Sequence, residues 1–193
     1  MKGIKQYMKY RITEIFYSIQ GEGRYTGYPA IFIRFAGCNL NCDFCDTNYS
    51  VNYQLTANEI LSEVEQYPCK LIVLTGGEPT IQLNEKLLSL LLSRDFSLHL
   101  ETNGTIQLNK LRKYLKWVTV SPKQDWIQRE GNELKVVYEG QNLEQYNDSR
   151  FDYYYLQPCE RNGKYNFDET IKAVKESDKW KLSIQTQKLL KIR

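Results

Sequence analysis

The sequence contains no apolar run that approaches the roughly 20 residues of a membrane-spanning helix, which argues against an integral membrane protein. Its first residues, MKGIKQYMKYRI, also lack the apolar stretch of a secretory signal peptide. The net charge of +3 is modest, and the lysines form no basic stripe of the kind typical of nucleic-acid-binding proteins. We therefore expect a cytoplasmic protein that binds neither membranes nor nucleic acids.

A disulfide framework is not expected either, because thiols stay reduced in the cytoplasm. Of the five cysteines, three lie within CNLNCDFCDT, as Cys38, Cys42 and Cys45. A structural zinc site needs four ligands and usually arranges cysteines in C-x2-C pairs. Three thiolates at C-x3-C-x2-C instead favour an iron–sulfur cluster. Three cysteines would leave one iron of a cubane cluster open for a small chelating ligand.

A zinc site completed by a distant residue is the alternative. The candidates for a fourth ligand are Cys69, Cys159 and the single histidine, His99. His99 lies within the apolar run SLHLE, where a histidine packed in the core or a pocket is the more ordinary interpretation. Cys69 is interpreted as a packing residue, whereas Cys159 follows a predicted strand.

Apolar runs rich in β-branched residues predict strands at 30–36, 70–75, 97–101, 117–121, 133–138, 153–157 and 180–185. Amphipathic patterns between several of them predict helices in TANEILSEVEQY, LNEKLLSLLLSRD and NFDETIKAVKES. Strands that alternate with helices favour a parallel sheet. However, only 11 residues separate the fourth and fifth runs, too few for the usual helical crossover. The sequence therefore predicts one α/β domain over residues 1–193, an incomplete TIM-like β/α barrel with about six parallel strands and fewer helices than strands.

Glycine-rich and polar segments follow five of the predicted strands: AGCNLNC, TGGEPT, ETNGT, SPK and LQPC. In parallel β/α folds, ligands bind at the edge formed by the carboxyl ends of the strands. Five such segments at one edge predict a single site built from several strands.

The C-x3-C-x2-C motif, with Phe44 directly before its last cysteine, resembles the cluster motif of radical S-adenosylmethionine (SAM) enzymes, and TGGEP, ETNG and SPK resemble their cofactor-binding segments. FYSIQGEG, GCNLNCDFCDT and LSIQTQKLLKIR resemble, more narrowly, the 7-carboxy-7-deazaguanine synthase family. That resemblance extends from about residue 14 onward. It implies a radical SAM core that converts 6-carboxy-5,6,7,8-tetrahydropterin to 7-carboxy-7-deazaguanine with loss of ammonia, in the biosynthesis of queuosine and other 7-deazapurines. It also implies a 4Fe-4S cluster, SAM, Mg²⁺, an electron donor such as flavodoxin or ferredoxin, and a homodimer.

The resemblance assigns roles to individual residues, but it leaves any catalytic side chain unknown, because the radical derives from the cofactor. The cluster would be bound by Cys38, Cys42 and Cys45, and Mg²⁺ by Thr47. The substrate would contact Gln20, Glu22, Arg34, Gly77 and Gln187. The cofactor would contact Phe44, Thr75, Gly76, Gly77, Glu78, Glu101, Ser121, Lys123 and Gln157.

These residue types suit a carboxylated pterin. Glu22 can accept from ring N–H groups, and Arg34 can bind the carboxylate, although a structural ion pair is the alternative for Arg34. Gln187 departs from the family, which usually has Thr-His-Lys where this chain has TQK, and a glutamine cannot become a cation. Two other functions are considered: a glycyl-radical activating enzyme of the same superfamily, and a non-enzymatic metal-binding module.

Overall fold

The computed structural model describes residues 8–123 and 125–193. The strands are β1 (Lys9–Ile19), β2 (Pro29–Phe35), β3 (Tyr53–Thr56), β4 (Leu71–Gly76), β5 (Ser97–Thr102), β6 (Trp117–Val120), β7 (Glu133–Tyr138), β8 (Tyr153–Pro158), β9 (Glu160–Arg161), β10 (Lys164–Tyr165) and β11 (Trp180–Leu182). The helices are α1 (Ala57–Val64), α2 (Glu85–Leu92), α3 (Phe167–Lys175) and α4 (Thr186–Leu190). None of the described helices is long and apolar enough to cross a membrane.

Nine strands form one sheet in the order β11-β8-β7-β6-β5-β4-β2-β1-β3, and β9 pairs with β10 separately. The strands from β2 to β11 in this order are parallel to one another. The predicted partial barrel with few helices is therefore confirmed, with seven parallel strands where about six were expected. The sheet also contains β1, which pairs antiparallel with both β2 and β3, and the edge strand β3; the apolar runs predicted neither of them.

The three predicted helices are present, and their apolar faces pack on the sheet. α1 begins with a capping box, in which Thr56 Oγ1 accepts from the Glu59 N–H at 3.3 Å and the Glu59 carboxylate accepts from the Thr56 N–H at 2.7 Å. In α2, Leu87, Leu88 and Leu91 are buried, whereas Leu92 is 37% exposed. The helices thus cover one face of the sheet and leave the other free to form a cavity.

The two faces of the parallel strands differ because alternate residues point in opposite directions. One face packs under the helices through fully buried side chains that include Ile33, Leu74 and Leu100. The other face carries a smaller apolar cluster, Phe16, Ala30, Phe32 and Val73. Beyond that cluster, toward the carboxyl ends of the strands, the same face becomes polar, with Arg34 beside Thr75 in the register of β2 and β4. The polar end of this face forms the floor of the site.

Candidate active site

A cavity of about 480 Å³ opens at the carboxyl ends of the parallel strands. Its lining combines the cysteine loop, the first long strand, the loops after β4, β5, β6 and β8, and the C-terminal segment. Every residue that the sequence assigns to the cluster, Mg²⁺, the cofactor or the substrate lines this cavity, with the exception of Glu78. The five segments predicted to meet at one edge are therefore brought together, although Cys159, within the last of them, does not line the cavity.

The cysteine loop follows β2 and presents all three thiols to the cavity. It is shaped by hydrogen bonds from the Gly37 N–H to the Tyr49 carbonyl at 2.9 Å and from the Cys45 N–H to the Cys42 carbonyl at 3.0 Å. Within the described part of the chain, no three His, Cys, Asp or Glu side chains converge on one metal ion. In a cubane cluster each cysteine binds a different iron, so the thiols need to face one space without meeting at one point. The loop fits that requirement.

The residues proposed to complete a zinc site lie elsewhere. Cys69 precedes β4, and its thiol contacts the Pro29 carbonyl at 3.3 Å. Pro29 is at the amino end of β2, whereas the cysteine loop follows the carboxyl end of β2. β2 spans seven residues, so this position is about 20 Å from the loop. His99 packs against Tyr25 with ring centroids 4.4 Å apart, and burial lowers its pKa to about 4. The zinc alternative lacks a fourth ligand among these three candidates.

Two glycines bring the loop after β4 into direct contact with the start of the cysteine loop. A Cβ on Gly76 would lie 2.2 Å from the Phe35 carbonyl oxygen, and one on Gly77 would lie 2.0 Å from the Gly37 carbonyl oxygen. The Gly77 N–H donates to the Phe35 carbonyl at 3.0 Å. Glycine is required here because only a residue without a side chain permits this approach.

Glu78 is fully buried and connects two loops of the site. Its carboxylate accepts from the Thr80 N–H at 3.0 Å, from Thr102 Oγ1 at 2.8 Å and from the Asn103 N–H at 2.7 Å. Asn103 itself lines the cavity, and its amide donates to Asn39 at 3.0 Å in the cysteine loop. The carboxylate of Glu78 therefore holds the loops around the cavity without lining it.

Glu101 joins two other predicted residues. It accepts from Gln20 Nε2 at 3.0 Å and from Thr75 Oγ1 at 2.9 Å. One predicted substrate contact and one predicted cofactor contact thus share a carboxylate. In the same cavity, Lys123 Nζ donates to Ser121 Oγ at 2.6 Å and lies 5.9 Å from the centre of the Phe44 ring. Burial, reinforced by the charge of a neighbouring lysine, lowers the pKa of Lys123 to about 8.

Glu22 lies at the centre of a second polar group. Its carboxylate forms an ion pair with Lys135, and its Oε1 accepts from Gln185 at 3.0 Å and from Gln187 at 2.9 Å. Burial disfavours its charged form, but the Lys135 ammonium and the two amides outweigh burial and lower the pKa of Glu22. Lys135 and Gln185 were not predicted: the lysine lies within the apolar run ELKVVY, and the glutamine was given no role although it lies within LSIQTQKLLKIR.

Arg34 lines the cavity and is paired within the chain. Its Nε donates to Glu14 Oε1 at 2.8 Å, and the Arg193 guanidinium contacts the other oxygen of the same carboxylate. Burial works against the charge on Glu14, but the two guanidiniums lower its pKa. Among the described residues, the two terminal nitrogens of Arg34 form no hydrogen bond. Arg34 thus has the structural partner considered above and retains donors for an anion.

The C-terminal strap, residues 183–193, closes one side of the cavity. The Thr186 N–H donates to the Gly21 carbonyl at 3.0 Å, and Lys188 forms an ion pair with Asp46. The Asp46 carboxylate also accepts from Thr47 Oγ1 at 3.3 Å, next to the cysteine loop. The strap therefore connects the SIQGEG segment to the residue predicted to bind Mg²⁺.

Comparisons with known proteins agree with this geometry. The family described as the Radical SAM superfamily matches residues 32–125. The 7-carboxy-7-deazaguanine synthase of Bacteroides thetaiotaomicron is 45% identical over 189 residues, which cover 96% of this chain and 100% of the relative. The protein of the same name from Neisseria meningitidis serogroup B is 38% identical and covers 93% and 92% of the two chains. The crystal structure of QueE from Escherichia coli superposes with a TM-score of 0.72 at 27% identity, over 93% and 95% of the two chains.

Proposed function

This chain belongs to the 7-carboxy-7-deazaguanine synthase family of radical SAM enzymes, and on that premise we propose that it converts 6-carboxy-5,6,7,8-tetrahydropterin to 7-carboxy-7-deazaguanine. Ammonia is lost in this reaction, which belongs to the biosynthesis of queuosine and other 7-deazapurines. One observation carries the proposal: the three cysteine thiols share a single cavity with Glu22 and Arg34. The cluster loop and groups suited to a carboxylated heterocycle thus open into the same space.

The cluster would be bound by Cys38, Cys42 and Cys45. When bound, the 4Fe-4S cluster and SAM supply the 5′-deoxyadenosyl radical that takes a hydrogen atom from the substrate. Around them, Gly76 and Gly77 position the loop after β4 against the cysteine loop. The remaining predicted contacts place acceptors and donors around the cofactor: Glu101 for ribose hydroxyls, and Ser121 and Lys123 for the carboxylate. Phe44, Thr75 and Gln157 line the same cavity, and Glu78 fixes its loops.

The substrate would be oriented by acceptors at one end and a guanidinium at the other. Glu22 would accept from the N–H edge of the pterin, with Gln20, Gly77 and Gln187 as further contacts, and Arg34 would bind its carboxylate. The side-chain oxygens of Gln157 and Gln187 are buried and have no hydrogen-bond partner among the described residues. A buried acceptor without a partner costs free energy that an N–H donor of a bound molecule would recover. Such acceptors discriminate strongly against molecules that lack the donor.

Several finer assignments complete the proposal. Thr47 would contribute an oxygen ligand to Mg²⁺, which prefers oxygen and retains waters. The protein would act as a cytoplasmic homodimer that receives electrons from flavodoxin or ferredoxin. The single sheet of nine strands supports one radical SAM domain over residues 1–193. The names of the relatives support a small-molecule substrate over the protein substrate of a glycyl-radical activating enzyme.

The test is an anaerobic turnover assay with the carboxylated tetrahydropterin, SAM and a chemical reductant, followed by mass spectrometry of the product. We expect 7-carboxy-7-deazaguanine from the wild type. Cys42→Ala should lose both iron and turnover, whereas Cys69→Ala, at the opposite end of the strands, should retain both. Zinc without iron would favour the non-enzymatic module, and an iron-loaded protein that leaves the pterin unchanged would contradict the proposed substrate.

A further inference from the structure

Lys135 is a buried cation in the middle of β7. Its neighbours in the strand, Leu134 and Val136, are fully buried in the apolar core on the opposite face. Strand alternation therefore points Lys135 toward the cavity, which it lines. Its side chain is 7% exposed and that of its ion-pair partner, Glu22, is 14% exposed. The ammonium thus meets the Glu22 carboxylate in a place with little access to water.

An ammonium in such a place is costly to desolvate, and packing alone would be served better by an apolar side chain of similar length. The cost is offset by carboxylates. Burial alone would lower the pKa of Lys135, but Glu22, Glu101 and Glu133 together raise it. Two of these carboxylates, Glu22 and Glu101, line the cavity. The lysine is therefore placed to act on groups that face the ligand.

The hydrogen bonds of Glu22 leave about one acceptor position of its carboxylate free. Lys135 contacts its Oε2, while Gln185 and Gln187 both donate to its Oε1. A carboxylate offers about four acceptor positions, so roughly one remains for a ligand. The orientation of that remaining position is set by the three partners, of which Lys135 is the only cation.

We propose that Lys135 is a positioning residue that holds Glu22 in its charged form and in the orientation needed to accept a hydrogen bond from the N–H edge of the substrate. The inference rests on the proposed function and identifies what makes Glu22 a selective acceptor. Without Lys135, a buried Glu22 would take up a proton. The protonated oxygen would present a donor where the substrate also presents a donor, and binding would weaken.

The experiment measures equilibrium binding of 6-carboxytetrahydropterin to the cluster-loaded protein, together with kcat, KM and melting temperature. Lys135→Met should weaken binding about 10- to 100-fold, as expected for the loss of a charged hydrogen-bond acceptor. Lys135→Arg keeps the positive charge and should recover much of that loss. The matched control is Lys172→Met, the same substitution on α3, where the lysine side chain is 76% exposed. This variant should leave binding unchanged.

A double-mutant cycle separates positioning from mere structural support. Glu22→Gln alone should weaken binding, and adding Lys135→Met to it should change the affinity by less than about threefold. The double variant buries no Glu22 carboxylate, so it should recover melting temperature that Lys135→Met loses while its binding stays weak. If the lysine only stabilised the fold, Lys135→Met would bind the pterin as tightly as the wild type once folded.

The outcomes have distinct meanings. Unchanged binding in Lys135→Met, or a much weaker double variant than Glu22→Gln alone, would overturn the inference. If Lys135→Met does not fold, the neutral Lys135→Gln replaces it in both the single and the double variant. A wild type that neither binds nor converts the pterin would instead overturn the proposed function.

Discussion

Arg34 has two possible uses for its guanidinium, and a lysine at this position separates them. Lysine can keep the ion pair with Glu14 but lacks the planar fork that binds a carboxylate with two parallel hydrogen bonds. We expect Arg34→Lys to weaken substrate binding by roughly 1.5–3 kcal/mol, or about 10- to 150-fold, and to change the melting temperature little. Substrate titration and thermal unfolding of the cluster-loaded protein measure the two effects. Arg150→Lys, at an exposed ion pair, is the control.

The opposite pattern, with unchanged affinity and a large drop in melting temperature, would assign Arg34 to structural support alone. Sequence reasoning left this choice open because Glu14 lies on β1, a strand that no apolar run indicated. The contact between Arg34 and Glu14 depends on the antiparallel register of β1 with β2, which pairs these two residues directly.

Gly77 permits the contact between the loop after β4 and the cysteine loop. An alanine Cβ would lie 2.0 Å from the Gly37 carbonyl oxygen and 3.0 Å from the Cys38 nitrogen, so the cysteine loop would have to move. We expect Gly77→Ala to reduce the iron retained after anaerobic reconstitution, measured by iron and sulfide content. Gly140→Ala is the control. Alanine at its positive φ of 87° would also strain the backbone, but the added Cβ would meet open space. Equal iron content in both variants would show that the close approach is not needed for cluster binding.

The start of helix α1 shows how far local sequence determines structure. Its capping box satisfies two N–H groups at the start of the helix, and the buried face of Ile60, Leu61 and Val64 packs against the sheet. Thr56→Ala removes the side-chain acceptor for the Glu59 N–H, and we expect a loss of about 0.5–2 kcal/mol in the free energy of unfolding. Urea unfolding measures it, with the exposed Ser62→Ala in the same helix as control. A loss no greater than that of the control would mean that packing alone determines where the helix begins.

The elements that the sequence predicted share a local signal. Amphipathic patterns marked the helices, and continuous apolar runs marked the parallel strands, because those strands are buried on both faces. The elements that it missed have no such signal. β1 carries Thr13, Glu14 and Ser18 among its apolar residues, and of these Glu14 lines the cavity. β3 is an edge strand of four mostly polar residues.

The site as a whole is assembled from residues that are far apart in the chain. Glu22 and Lys135 are separated by 113 positions, and Glu22 and Gln187 by 165. Motifs placed the cysteine loop and the segments after the strands, but no local pattern indicates that a lysine in one strand meets a glutamate in a distant loop. Long-range polar pairs of this kind were therefore the part of the site that only the fold could show.

Glu133, a second carboxylate near Lys135, gives the molecule a predicted pH dependence. Burial raises its pKa from 4.5 to about 7, and the Lys135 ammonium only partly opposes this effect. Between these two pH values the folded protein holds a proton that the unfolded chain has released. The contribution of Glu133 to stability is therefore fully present below pH 4.5 and is lost as the pH rises through 7.

Glu133→Gln should remove this loss, because glutamine carries no charge and its carbonyl oxygen can still accept from the Arg24 N–H, which lies 2.8 Å from the carboxylate. Between about pH 5 and pH 8, we expect the variant to gain roughly 2–3 kcal/mol in the free energy of unfolding relative to the wild type. Urea unfolding of both proteins at the two pH values measures the difference. Glu130→Gln, at a side chain that is 58% exposed, should show no comparable gain. A constant difference between Glu133→Gln and the wild type across this range would mean that Glu133 is already charged in the folded protein at pH 5, and that Lys135 compensates its burial completely.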